Sequence, residues 1–276
     1  MQHASELAAR EQTVNMNAGP SPLPLPALLR ATSALLSYER SPGMGVAEIS
    51  HRSSAFQSTL DDANKDLREL LRVPENYKVL WMQGGGMTQF AATVLNMLAA
   101  HRLKYQTGPD EVVEADYVVT GSWSKKAVDE ARRLGARVNV VCDGRDFSSD
   151  RKFRTVPAFE QWAQLPAERE GAGARKPAFV YYCDNETVDG VEFPADGELA
   201  FPFDKLDEDV PVVCDMSSNF LSRPVDVSKY GVIFAGAQKN LGPAGVSVVI
   251  VRDDLLGAWR QELPHICNSM LNIVLL

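Results

Sequence analysis

Two residues frame the chemistry open to this chain. Lys239 sits in Ala235-Gly-Ala-Gln-Lys-Asn-Leu-Gly-Pro-Ala-Gly245, and Asp215 ends Val210-Pro-Val-Val-Cys-Asp215. Small neighbours let a bulky planar molecule approach the backbone, and an amine removed from water is depressed towards its neutral, nucleophilic form. Such an amine condenses with a carbonyl carbon to give an imine. A carboxylate at the end of an apolar strand can hold a proton on a ring nitrogen. An arbitrary lysine in a glycine-rich turn is most often a surface group, so the company of Lys239 decides what it is.

The elements that must position these residues read as alternating strands and helices. Phe56, Leu60, Ala63, Leu67, Leu70 and Leu71 recur at helical spacing, and Met87 to Ala100 forms an apolar helix. Trp123, Ala127, Val128, Ala131 and Leu134 make a further helical face. Strands are predicted at Tyr77–Met82, Tyr117–Thr120, Arg137–Cys142, Ala178–Cys183, Val210–Cys214, Gly231–Ala235 and Gly245–Val251, with an exposed loop over Ala167–Lys176. Continuous apolar strands separated by helices predict an α/β fold: a mostly parallel mixed sheet with helices on both faces.

Ligands of open α/β sheets collect at the carboxyl ends of the strands. Gly84-Gly85-Gly86 follows one strand and opens a helix, which offers free N–H groups to a phosphate. Trp123, Thr187, Asp215 and Lys239 follow or end four others. A triple glycine is often a flexible turn, and a tryptophan at a helix start is more often core. Together, on one edge, they give a phosphate cradle, an aromatic face, a hydroxyl, an acid and an amine, which is what a pyridoxal phosphate site needs.

Bulk properties narrow the partners. The chain has 276 residues and a formal net charge of −8, which disfavours nucleic acid and anionic membranes as main partners. No apolar run is long enough for a membrane span and no apolar signal core begins the chain, which predicts the cytoplasm. Cys142, Cys183, Cys214 and Cys267 are scattered without a CxxC spacing, so reduced thiols and no metal site are expected.

The sequence resembles the phosphoserine aminotransferases, class V members of the fold-type I pyridoxal-phosphate enzymes. The carrying motifs are Asn17-Ala-Gly-Pro-Ser21, Glu48-Ile-Ser-His-Arg52, Gln83-Gly-Gly-Gly-Met-Thr-Gln-Phe90, Asp184-Asn-Glu-Thr-Val-Asp-Gly190, Leu221-Ser-Arg-Pro-Val-Asp226 and Tyr230 through Gly245. They stand in the family's order over most of residues 15 to 260. The resemblance implies that Lys239 carries the cofactor as an imine and shuttles a proton. It has Asp215 pair with the pyridine nitrogen, Trp123 stack on the ring and Thr187 bond near the ring oxygen or phosphate. Gly86, Met87 and Gln238 then hold the phosphate, and His51 and Arg52 bind substrate.

The implied reaction is amino transfer between O-phospho-L-serine and 2-oxoglutarate, giving 3-phosphohydroxypyruvate and L-glutamate, in serine synthesis. A related phosphorylated substrate in pyridoxine synthesis and a homodimer are implied too. Two departures stand out: Met87 replaces an arginine, and Ala18 a serine, of some relatives. The family's small carboxyl-terminal domain is expected to be largely missing. The predicted organisation is an amino-terminal segment over 1–22, a cofactor-binding large domain over 23–262 and the start of the next domain over 263–276. The alternatives are an inactive cofactor-binding fragment and another class V activity. A desulfurase would need a reactive cysteine, for which Cys267 is the candidate. Gly84–Gly86 lacks the spacing of a dinucleotide site.

Overall fold

The computed structural model describes residues 2–256 apart from 17–18, 21, 109–110 and 164–175. Asn17, Ala18, Ser21, most of the loop expected at 167–176, Cys267 and residues 263–276 therefore lie outside the described residues.

Seven strands form one sheet: β1 (Tyr77–Met82), β2 (Glu114–Val119), β3 (Arg137–Asp143), β4 (Val180–Cys183), β7 (Val212–Asp215), β8 (Val232–Gly236) and β9 (Ser247–Arg252). Their spatial order is β1-β9-β8-β7-β4-β2-β3. Pairing is parallel from β8 through β7, β4 and β2 to β3, while β9 runs antiparallel to both β8 and β1. The remaining two strands, β5 (Asn185–Glu186) and β6 (Val191–Glu192), make a small antiparallel hairpin.

Strand side chains alternate between two cores, as a pleated sheet covered on both faces requires. Val180, Tyr182, Cys214, Ile233 and Ile250 enter one core. Tyr181, Val213, Phe234 and Val251 enter the other, where they meet α4 (Gly85–Tyr105) and α5 (Ser122–Arg133) through Phe90, Val94, Met97, Ala127, Val128 and Ala131. The first core is covered by Leu67 and Leu71 of α3 (Ser54–Leu71) and by irregular chain that supplies Phe193, Phe201, Phe220 and Tyr230. Helices thus lie on both faces, but the α3 face is roofed mostly by aromatic loops. Long connections can do this where Tyr182 stacks on Phe201 with ring centroids 3.9 Å apart.

The helix ends follow local chemistry. Ser53 Oγ accepts from the Phe56 N–H at 3.2 Å and so caps α3, which stops where Arg72 turns left-handed at φ 49°. Two further helices, α1 (Gln2–Gln12) and α2 (Leu25–Leu36), have no counterpart in the predicted elements. Proline at the start of α2 suits a first helical turn, yet none of its residues is buried. Leu29, Leu35 and Leu36 are exposed.

Candidate active site

The carboxyl edge of the parallel strands opens into a cavity of about 300 Å3 lined by the triple glycine, Met87, Trp123, Thr187, Asp215, Gln238 and Lys239. Seven of the nine site residues named from sequence therefore share one space. His51 and Arg52 do not line it. They lie exposed in the turn just before Ser53, the cap of α3.

The amine and the acid come from neighbouring strands. Lys239 follows β8 by three residues, in the loop that turns back into β9. The Ala237 N–H donates to Val246 O at 2.8 Å and closes that loop. Lys239 Nζ donates to Thr187 Oγ1 at 2.6 Å. Burial pushes the amine below its ordinary value, against the influence of Cys183 and Asp215. Gln238, just before it, holds φ at 148°, a region costing a residue with a side chain about 1–3 kcal/mol. Backbone strain of this kind collects at functional sites, and here it falls on the residue next to Lys239.

Asp215 is the last residue of β7 and only 4% exposed. Burial raises its carboxyl, while two hydrogen bonds from Ser217 and the charge of Lys239 pull it down. Both of those bonds fall on Oδ1: from Ser217 N at 2.9 Å and from Ser217 Oγ at 2.6 Å.

Glycine is required at the mouth of α4. Gly84 caps the helix at φ 101°, and a Cβ there would run into Thr88. No side chain caps this end. The first N–H groups of a helix have no partner within it, so those of Gly85, Gly86 and Met87 are available to an anion. A Cβ on Gly86 would meet nothing within 4 Å, which marks open space over the amides. Phe90, one turn on, sits edge-on to Tyr181 and Phe234 and pins the helix start above β4 and β8.

The hairpin β5–β6 sets the opposite wall. Thr187 lies in its turn, not simply after a strand as the sequence suggests. Next to it, Glu186 is fully buried and accepts from the N–H groups of Trp123 and Ser124, each at 2.8 Å. Asp189 accepts from the Ser122 N–H at 2.6 Å. One hairpin thus delivers the hydroxyl to Lys239 and anchors the helix that carries Trp123. Lys126 Nζ lies 4.1 Å from the centre of the Trp123 ring.

Sequence reasoning passed over Ser217, Ser218, Asn185 and Cys183, which also line the cavity. Ser217 carried a signal, because an Asp-x-Ser step lets the serine fold back onto the aspartate. Cys142, Cys183 and Cys214 are free and buried. Among the described residues, no group of three or more His, Cys, Asp or Glu could hold a metal ion. None of their helices is long and apolar enough to cross a membrane.

Known proteins share this sequence pattern and fold. The family described as Aminotransferase class-V matches residues 13–265. The chain is 48% identical over 255 residues to a phosphoserine aminotransferase of Drosophila melanogaster, covering 92% of this chain and 61% of the relative. It is 44% identical over 258 residues to one from Hahella chejuensis, covering 94% and 62%. Among solved structures, phosphoserine aminotransferase from Bacillus circulans subsp. alkalophilus superposes with a TM-score of 0.73 at 34% identity, over 95% of this chain and 64% of that one. The PLP-bound phosphoserine aminotransferase of Trichomonas vaginalis gives 0.69 at 39%, over 88% and 58%. The chain therefore spans about three fifths of the length of the curated relatives it matches.

Proposed function

This chain belongs to the aminotransferase class-V family, and from that premise we propose that it carries the cofactor side of a phosphoserine aminotransferase site. The observation that carries the proposal is the meeting of Lys239, Asp215 and the uncapped amino end of α4 in one cavity. The residues present fit pyridoxal phosphate: a cradle of free amides for its phosphate, a buried acid for its ring nitrogen and a lowered amine for its aldehyde. When bound, that cofactor supplies an aldehyde and a protonated ring able to accept an electron pair.

The chain's own groups would do the rest. Gly86 and Met87 would bind the phosphate through their N–H groups, with Gln238 beside them. Asp215 would keep a proton on the ring nitrogen, and Trp123 would cover the ring. Thr187, which holds Lys239 Nζ through its hydroxyl, would orient the ring oxygen. Lys239 would bond the cofactor through Nζ and, once released, move a proton from the substrate α-carbon. Its depressed amine suits both tasks, since the neutral form is the nucleophile and the base.

The relatives' names support O-phospho-L-serine as the amino donor. With 2-oxoglutarate as the proposed acceptor, the products would be 3-phosphohydroxypyruvate and L-glutamate. His51 and Arg52 are proposed to bind substrate, a guanidinium being suited to a carboxylate or phosphate. Met87 brings no charge to that task. A homodimer completes the proposal, supported by the exposed apolar side chains of α2 and of Met87 at the cavity mouth, and the cytoplasm is its proposed place.

The test is chemical trapping and, on separate unreduced protein, a half-reaction. Borohydride reduction of the cofactor-loaded chain should leave a pyridoxyl mass on the peptide containing Lys239 and none in Lys239→Ala. In the unreduced sample, O-phosphoserine should convert the bound cofactor faster than glutamate or cysteine. Label on another lysine would sink the assignment, and a preference for cysteine would favour desulfurase chemistry.

A further inference from the structure

We propose that Ser217 is a positioning residue that turns one fixed oxygen of Asp215 towards the cavity and ties this carboxylate to the strand end that carries Lys239. The proposal rests on the cofactor site described above.

The bonds have a forced direction. The Gly236 N–H lies 3.0 Å from Ser217 Oγ, and a backbone amide can only donate. Ser217 Oγ is therefore the acceptor there, and its single hydrogen remains for Asp215 Oδ1, 2.6 Å away. The Ser217 N–H reaches the same oxygen at 2.9 Å. Oδ1 is committed twice as an acceptor, and Oδ2 is the oxygen left for a donor in the cavity. A proton on Oδ1 would confront two hydrogens already pointing at it, so any proton this carboxyl carries belongs on Oδ2. Burial and the charges of Asp184 and Glu186 disfavour the ionised form, while Lys239 and the Ser217 bonds favour it. The Cys183 thiol and the Tyr181 hydroxyl are the other titratable groups beside this carboxyl.

The same hydroxyl continues the sheet where backbone pairing stops. The β7–β8 ladder ends at Asp215 opposite Phe234, with the Met216 N–H on Phe234 O at 2.9 Å. One step further, the Gly236 N–H meets a side-chain hydroxyl in place of a carbonyl. Gly236 is three residues before Lys239. A Cβ on it would lie 3.4 Å from the Gly86 nitrogen, so this strand end also touches the amide cradle. Ser217 thereby joins the acid, the lysine strand and the phosphate cradle into one rigid edge.

The experiment compares Ser217→Ala and Ser217→Thr with the wild-type chain. Pyridoxal phosphate affinity is read from quenching of tryptophan fluorescence. The visible spectrum of the bound chromophore is followed against pH, and the melting temperature of the ligand-free chain controls for folding. Ser217→Ala should weaken binding about tenfold, the loss of one charge-assisted hydrogen bond, and should move the spectral midpoint. Ser217→Thr keeps the hydroxyl and should retain both. Wild-type affinity and midpoint in Ser217→Ala, or equal losses in both variants, would overturn the role of the hydroxyl. A wild-type chain that fails to bind the cofactor would instead overturn the proposed function, and this inference with it.

Discussion

The amino ends of α4 and α5 are built alike and finished oppositely. Each helix follows a strand that points the way of the parallel set, β1 before α4 and β2 before α5. Each begins with N–H groups that have no partner within the helix, at the carboxyl edge of the sheet. At α5 the chain fills the place itself: Glu186 accepts from Trp123 and Ser124, and Asp189 from Ser122. At α4 there is no side-chain cap and no acidic residue in the first turn. Three glycines keep the space clear. A positive helix end is thus not a binding site by itself. It becomes one where the protein withholds its own carboxylate, and the neighbouring helix shows that this fold has the means to supply one.

The strongest way to break this contrast is to crowd the closed end. A Cβ on Gly121 would overlap the Cβ, Cγ and Cδ of the buried Glu186. Gly121→Ala should destabilise the chain by about 3 kcal/mol in urea titration. It should also shift Trp123 fluorescence, because Glu186 cannot hold α5 and make room at once. An unperturbed variant would mean that the cap is loose.

Glu186→Gln is a smaller change, worth about 1 kcal/mol as a weakened cap. Burial holds the Glu186 carboxyl above its ordinary value, against the bonds it accepts. A carboxyl raised in the fold contributes stability that is complete below its unfolded value and lost as pH rises through the folded one. The stability gap between wild type and Glu186→Gln should therefore shrink from acid to neutral pH. A gap that grows towards neutral would show that the closed end prefers a carboxylate.

The smallest stability effect carries the clearest functional meaning. Gly86→Asp places at α4 the charge that α5 already has, and should favour the ligand-free chain over Gly86→Asn by about 0.5 kcal/mol at low salt. Binding of inorganic phosphate and of the cofactor should fall in the same variant. Phosphate binding at wild-type strength would move the anion site away from α4.

The sheet was legible in the sequence because seven apolar runs bounded by polar punctuation leave few other readings, and the strand ends then located the cavity. The direction of β9 was not legible, since periodicity says nothing of polarity. The short connection from Gly236 to Ser247 was the available clue, because a parallel crossover needs a dozen residues or more. The hairpin of β5 and β6 escaped notice because two-residue strands have no measurable period, although Glu186 and Asp189 were already named within a motif. Helix α2 was not among the predicted elements, and its start carries Pro24 and Pro26, which a first turn accepts but which break a helix interior. His51 and Arg52 illustrate the remaining limit, because a motif can identify a residue type without saying which surface it serves.

The reversed direction of β9 bears on how Lys239 can move. Most strand-end residues of this sheet lead into connections that wander away from the edge. The chain from β8 has to come straight back, with Gly236 opposite Ser247 and the Ala237 N–H bonded to Val246 O. The lysine is tethered on both sides by adjacent strands, like a bead on a loop clipped at its neck. In the role proposed for it, the reach of Nζ is set by the torsions of the four-carbon side chain, which start from a turn closed by paired strands on both sides.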